Sequence, residues 1–151
     1  MYIYQLYYVI ILYNSQIKNS EMPSKKISRK GLVKKLDTIF SQYIRRRYAK
    51  NEISKCVTCN KEDHWKNLQA GHFMSRKHYA TRWDPDNVQV QCMGCNVYRY
   101  GEQYLFSKYL GTDLSDDLQA RSRLITKFSN TDLEEMIKDY KNIVEGFDIL
   151  N

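Results

Sequence analysis

The chain has 151 residues, enough for one domain with peripheral helices, and 42% of them are hydrophobic, which permits only a modest core. The formal net charge of +7 fits a polyanionic partner, most commonly nucleic acid, although a merely soluble basic protein can carry the same charge. No apolar stretch is long enough to span a bilayer as a helix and no secretory signal is recognisable, so we expect no membrane association.

The first 30 residues are interpreted as an N-terminal extension followed by a basic linker. Residues 1–13 are apolar and tyrosine-rich, and they could form a strand or an interfacial segment. Met22 begins what looks like an ordinary basic N-terminus, so an alternative is that the reading frame extends upstream of the real start. We assign no function to residues 1–21.

A single domain is predicted over residues 31–151, with a basic helix (31–50), a core (54–110) and C-terminal helices (114–147). The apolar residues of the first helix recur at helical spacing, namely Leu32, Val33, Leu36, Ile39, Phe40, Tyr43 and Ile44. Arg45, Arg46 and Arg47 load its last turn with cations, which suits the negative end of the helix dipole. The same arginines are predicted DNA contacts, because a basic face attracts phosphates.

The core is predicted to contain short strands and turns, followed by helices. Residues 68–74 could form a strand, and the alternating segment 88–91 is typical of another. A helix is expected over residues 97–110, with Gly101 as a weak point. One helix is expected from Leu114 to Phe128. The next is expected to begin at a capping box formed by Thr131 and Glu134, and its apolar stripe is a candidate interface for a homodimer.

The four cysteines form two Cys-x-x-Cys pairs, Cys56/Cys59 and Cys92/Cys95. Each pair can form one rim of a tetrahedral thiolate site, so the spacing favours structural zinc and a reducing compartment. Two disulfides, or a redox role, are the alternative reading. A zinc ion held by four thiolates has no open coordination position for water. We therefore expect it to cross-link the fold and to have no part in catalysis.

The 32 residues between Cys59 and Cys92 must themselves fold, and they contain the chain's three histidines. His72 lies in a strand-like piece, Asn87 follows a turn, and Asn96 follows Cys95 directly. A strand histidine, a loop asparagine and a residue at the start of a helix stand in the order of an HNH, or ββα-metal, nuclease site.

These three residues suit phosphodiester hydrolysis. Histidine can deprotonate water near neutral pH, so His72 is the predicted general base. The amide oxygen of Asn96 suits a hard cation, Mg²⁺ or Mn²⁺, and Asn87 can hold the loop or the imidazole in place. His72 could instead be a buried core histidine, and both asparagines could be turn or cap residues. The predicted phosphate contacts are Arg76, Arg82 and His78.

Five motifs stand in order along the core: Cys56-Val57-Thr58-Cys59, Gln69-Ala70-Gly71-His72-Phe73, Arg82-Trp83-Asp84, Asp86-Asn87-Val88 and Gln91-Cys92-Met93-Gly94-Cys95-Asn96. Together they resemble the NinG (Rap) recombination nucleases of lambdoid phages over roughly residues 31–110. The resemblance implies a structure-specific endonuclease acting on branched DNA, encoded by a phage or prophage and working in the host cytoplasm. It also implies an α+β fold in which a zinc-stapled, treble-clef-like ββα-metal core is flanked by a basic helix and C-terminal helices.

The sequence departs from the HNH pattern at Gly71. Many HNH enzymes carry an acidic or histidine metal ligand directly before the general base, and glycine offers none. His78, Asp84 or Asp86 could reach the metal instead, or water and phosphate could complete its coordination. The rival interpretation is a zinc module that binds nucleic acid without cutting it.

Overall fold

The computed structural model describes residues 27–149. The tyrosine-rich segment, the alternative start at Met22 and most of the predicted linker lie outside the described residues. In the described part, no helix is both long and apolar enough to cross a membrane.

The first helix of the described residues, α1, runs Arg29–Arg46, and the Ser28 side chain caps it by accepting a hydrogen bond from the Gly31 N–H at 3.2 Å. The predicted stripe is confirmed, since Leu32, Leu36, Phe40 and Ile44 are all buried. The helix begins earlier and ends earlier than the predicted 31–50. It ends early because the chain turns over residues 47–52, where two residues have positive φ.

The last helix, α4, covers Asn130–Ile149 and packs along α1. The two helices run in the same direction, because Arg29 bonds Asn130 at one end and Arg46 bonds Asp148 at the other. Aromatic contacts join their middles, with the ring centroids of Phe40 and Tyr140 5.0 Å apart. The buried part of the α4 stripe therefore faces α1. A homodimer through this helix stays a prediction.

Two antiparallel hairpins lie between α1 and α4 along the chain. In the first, β1 (Ile53–Lys55) pairs with β2 (Glu62–His64), and the first cysteine pair lies in the connection. In the second, β3 (Gln69–His72) pairs with β4 (Val88–Gln91), with Gly71 opposite Gln89. Both strands of the second hairpin contact α1, and Ala70, Val88 and Val90 enter the core. A single helical turn, Gly94–Tyr98, follows β4 and contains the last cysteine.

The helices after the hairpins differ from the prediction in two places. The expected helix over 97–110 is interrupted, because Tyr100, Gly101 and Glu102 all have positive φ, and α2 begins only at Gln103 (Gln103–Leu110). The helix expected from Leu114 to Phe128 is α3 (Thr112–Ser122), which ends before Leu124 and Ile125. Those two side chains are exposed, so the apolar spacing that suggested a continuous helix does not reflect burial.

The capping box of α4 also lies two residues before the predicted one. The Ser129 hydroxyl accepts from the Asp132 N–H at 3.1 Å, and the Asp132 carboxylate accepts from the Ser129 N–H at 2.6 Å. Thr131 and Glu134, the predicted pair, are exposed. The described chain is thus an α+β fold with two small antiparallel sheets and a cluster of four thiols.

Candidate metal centre and catalytic cavity

The four cysteines converge on one point of the fold. Their sulfur atoms all lie within 4.8 Å of one another, and the Sγ atoms of Cys59 and Cys92 are 3.7 Å apart. A zinc ion bound at about 2.3 Å to each of four sulfurs would place them about 3.8 Å apart. All four thiols are free, and their spacing suggests zinc and leaves the two-disulfide reading without support.

The four thiols differ in acidity, although they lie close together. Burial would raise the pKa of Cys56, but hydrogen bonds from the Thr58 hydroxyl and from three main-chain N–H groups lower it to about 6. In contrast, burial and the neighbouring thiols raise the pKa of Cys95 to about 12. Zinc would hold all four groups as thiolates, because a divalent cation offsets their mutual repulsion.

Arg99 supplies positive charge on the outside of the cluster. Its guanidinium donates to the Cys95 sulfur at 2.8 Å and also pairs with Glu102. Zinc with four thiolates carries a net charge of −2, so a cation at this distance is favourable. Arg99 thereby links the metal site to the turn that precedes α2.

A second feature, an open cavity of about 600 Å³, lies beside the second hairpin. The residues that line it include His72, Arg76, His78, Asn96 and Tyr100. The structure therefore brings together four of the sequence-predicted site residues: the proposed base, the proposed cation ligand and two of the proposed phosphate contacts.

His72 is held by the main chain. Its Nε2 lies 3.0 Å from the Arg82 carbonyl oxygen, and because a carbonyl can only accept, Nε2 carries the proton. The lone pair is then on Nδ1, which is the ring atom left to accept a proton. Burial lowers the pKa of His72 to about 4, the Arg82 carbonyl raises it, and the nearby Arg76 charge lowers it further. The imidazole is consequently neutral at pH 7.

Asp37 fixes the segment that holds His72. Its carboxylate accepts two bonds from the Arg82 guanidinium, at 2.6 and 3.0 Å, and one from the Trp83 indole at 2.9 Å. Because the Arg82 carbonyl in turn holds the imidazole, Asp37 on α1 positions the proposed base through Arg82. The Arg82 side chain is thus committed within the protein, and its predicted phosphate contact stays a prediction.

We expect the buried, neutral His72 to make stability depend on pH. The unfolded chain takes up the proton near pH 6.5 and the folded chain only near pH 4, so stability present above pH 6.5 is lost as the pH falls towards 4. By pH 5 the loss is about 2 kcal/mol. Urea unfolding of wild type and His72→Gln at pH 7 and pH 5 measures it, because glutamine keeps a donor but does not titrate. Equal pH dependence in the two proteins would contradict the prediction.

Asn96 and Asn87 have different surroundings. Asn96 lines the cavity, and its Nδ2 donates to Gln69 Oε1 at 2.7 Å, so its Oδ1 remains the acceptor that could bind a cation. Asn87 is fully buried, accepts from the Met74 N–H at 2.7 Å and donates to the carbonyls of Met74 and Thr81. These bonds hold the loop between β3 and β4, and the predicted part of Asn87 in catalysis stays a prediction.

The structure gives a physical reason for glycine at position 71. A Cβ on Gly71 would lie 2.0 Å from Oε1 and 2.7 Å from Cδ of Gln91. Gln91 is fully buried, and its Nε2 is held by the Gly101 carbonyl at 2.8 Å and the Thr58 hydroxyl at 3.3 Å. The glutamine side chain therefore fills the place in which a metal ligand at position 71 would stand.

We expect Gly71→Ala to destabilise the protein by about 1–3 kcal/mol, since Gln91 cannot move aside without losing both hydrogen bonds. The change in the urea unfolding midpoint measures this. Gly146→Ala is the matched control, because no atom lies within 4 Å of a Cβ there and α4 gains helix propensity. An unchanged midpoint for Gly71→Ala would show that Gln91 adapts freely.

The three arginines at the end of α1 are used inside the fold. Arg45 donates to the carbonyls of Trp65 and Leu68, Arg46 pairs with Asp148, and Arg47 donates to the Pro85 and Val88 carbonyls and to Gln89. These bonds attach the ends of both hairpins and α4 to α1. Contact with DNA by these arginines stays a prediction, and the structure supplies a structural role for all three.

The acidic candidates for the catalytic metal lie elsewhere. Asp84 and Asp86 pair with Arg121 of α3 and are not among the cavity-lining residues, whereas His78 is. Within residues 27–149, the four thiols are the only group of three or more His, Cys, Asp or Glu side chains clustered closely enough to hold a metal. A catalytic cation near Asn96 would therefore need oxygen atoms from water or phosphate.

Sequence reasoning overlooked Asp37, Gln91 and Arg99 as parts of the site. Asp37 offered a signal, because it is an acidic residue in a strongly basic helix. Gln91 and Arg99 offered none, since their roles depend on which atoms the fold brings beside them.

A model of one protein family, described as bacteriophage lambda NinG protein, matches residues 14–148 of the chain. Neither the curated proteins nor the solved structures include a significant match.

Proposed function

We propose that this chain, which belongs to the bacteriophage lambda NinG family, is a divalent-metal-dependent endonuclease that hydrolyses phosphodiesters in branched DNA. One observation carries the proposal: His72 lines an open cavity together with Asn96 and Arg76, and its Nε2 is tied to the main chain so that Nδ1 can act as a base.

The order of elements supports an HNH-type assignment. His72 is the last residue of β3, β4 returns beside it, and Asn96 lies in the helical turn after β4. The proposal is supported by the hairpin and the helical turn, which bring His72 and Asn96 to the same cavity. The thiol cluster at the start of this turn would hold Asn96 in place when zinc is bound.

In the proposed reaction, His72 Nδ1 takes a proton from the attacking water, and the hydroxide bonds to the scissile phosphorus. The bond from phosphorus to the leaving oxygen breaks, and that oxygen takes a proton from solvent. The exposed Arg76 guanidinium balances charge on the phosphate, since it makes no ion pair with any described residue. A Mg²⁺ or Mn²⁺ ion at the Asn96 amide oxygen would stabilise the leaving oxygen and lower the pKa of bound water. A base whose pKa is near 4 needs that help, because proton transfer is most efficient when donor and acceptor are matched.

Branched DNA is proposed as the substrate because the sequence motifs of the core resemble those of phage recombination nucleases. We therefore expect zinc-loaded protein to cut four-way junctions, D-loops or flaps faster than linear duplex. Cleavage of labelled substrates with added Mg²⁺ or Mn²⁺, and with neither, measures this. Omitting the metal is preferable to a chelator, which would also attack the thiol site. No metal-dependent cleavage of any substrate would overturn the proposal.

The alternative, a zinc module that binds nucleic acid without cutting it, draws on one observation: the described residues offer few protein ligands for a catalytic cation. It predicts salt-dependent binding of DNA and no nicking with either metal. The same substrates, tested for binding and for cleavage, separate the two functions.

A further inference from the structure

We propose that the Tyr100 ring stacks on an unpaired nucleobase of the DNA and so lets the protein prefer strands that are not in a duplex. The inference rests on the proposed function, in which DNA is the partner. It adds that the protein recognises an unpaired base of that DNA.

Tyr100 is the most exposed aromatic side chain in residues 27–149, at 89% of its surface. Tyr98 and Tyr104 lie close in sequence and are also largely exposed. The Lys108 ammonium lies 4.5 Å from the centre of the Tyr104 ring, whereas Tyr100 makes no ring or cation contact with any described residue. Both faces of the Tyr100 ring are therefore available, and a base is a flat partner that can cover one of them.

The turn that carries Tyr100 is strained. The φ angles of Tyr100, Gly101 and Glu102 are 52°, 86° and 49°, and only the glycine adopts such values without steric cost. Left-handed conformations at non-glycine residues persist where the surrounding structure imposes them, and they concentrate at functional sites.

Several contacts impose this conformation. The Gly101 N–H donates to the Cys95 carbonyl at 2.9 Å, and the Gly101 carbonyl accepts from the buried Gln91 amide at 2.8 Å. Arg99 pairs with Glu102 and bonds the Cys95 sulfur. These contacts anchor the turn to the thiol cluster. The main chain of Tyr100 is therefore held in a fixed place although its ring is exposed.

Tyr100 lines the same cavity as His72, with the exposed cations Arg76 and Lys77 also on its wall. These cations can hold phosphates, and the ring offers a neighbouring surface for a base. In a duplex the faces of each base are covered by stacking, so the ring can add affinity only where bases are unpaired. Stacking of one base on an aromatic side chain changes affinity roughly 5- to 150-fold.

The test uses the full chain loaded with zinc, in the absence of Mg²⁺ and Mn²⁺, and a single-stranded oligonucleotide containing 2-aminopurine. We expect wild type to quench the probe on binding. We expect Tyr100→Ala to lose the quenching and to bind the single strand roughly 5- to 150-fold more weakly, with duplex affinity unchanged. Tyr100→Phe should behave as wild type, because it keeps the ring. Tyr48→Ala is the matched control, since Tyr48 is an exposed tyrosine that lines a different cavity.

Zinc content and circular dichroism of each variant establish that it is folded. Equal single-strand affinity for wild type and Tyr100→Ala overturns the stacking role, as does an equal loss of single-strand and duplex affinity. Because binding is measured without a divalent cation, the result is independent of cleavage. A protein that cuts DNA but shows no effect of Tyr100→Ala keeps its proposed function and loses this inference.

Discussion

Removing zinc should unfold the middle of the chain. The strands joined by the thiol cluster are only three or four residues long, and hairpins of that size are marginal without further support. Binding of structural zinc contributes on the order of 10 kcal/mol in small metal-dependent folds. We therefore expect a strong zinc chelator, or Cys95→Ser, to abolish the cooperative thermal transition, as measured by circular dichroism alongside zinc content.

Met93→Ser is the control for this experiment. It introduces serine into the same Cys-x-x-Cys loop, at a half-exposed position, without removing a sulfur ligand. We expect it to keep one zinc per chain and a melting temperature close to that of wild type. A zinc-free protein with the wild-type transition would mean that the cluster is dispensable for folding.

The second large effect concerns His72. If its Nδ1 deprotonates water, His72→Ala should slow metal-dependent cleavage by roughly 10²–10⁴-fold, the usual contribution of a general base. DNA binding should change little. Single-turnover cleavage measures the rate, and binding without a divalent cation measures the affinity.

His64→Ala is the matched control. His64 lies in the first hairpin, where its Nε2 is 3.4 Å from Glu52 Oε2, and it does not line the cavity. We expect it to cleave at the wild-type rate. If His72→Ala also cleaves at that rate, the water is deprotonated by another group, and His78 would be the next to examine since it lines the same cavity.

Much of the framework was predictable because it depends on local pattern. The α1 stripe, the strand before Cys92 and the paired cysteines each follow a short-range rule, and each is found in the structure. The alternation that predicted this strand does not extend to burial, because Gln89 and Gln91 are buried as well as the valines. The failures also have local causes. Leu124 and Ile125 continue an apolar spacing past the end of α3, although both side chains are exposed.

The site was less predictable, since it depends on which distant groups meet. The charge of Arg47 predicts a phosphate contact, and no local pattern indicates that Gln89, forty-two residues later, accepts a hydrogen bond from its guanidinium. Gly71 read as a missing ligand, but the buried Gln91 side chain requires the absence of a Cβ there. No periodicity or spacing in the sequence encodes either contact.

The pairing of α1 with α4 has a consequence for how the protein is made. Arg29 bonds a residue 101 positions later, and Arg46 bonds one 102 positions later, so the core cannot close until α4 has been synthesised. A ribosome that has synthesised only the first helix leaves Leu36 and Phe40 without their cover. The cysteine pairs lie between the two helices and are separated by far fewer residues, so the metal-binding hairpins are able to form first. Folding would then begin at the hairpins, and α1 and α4 would dock last.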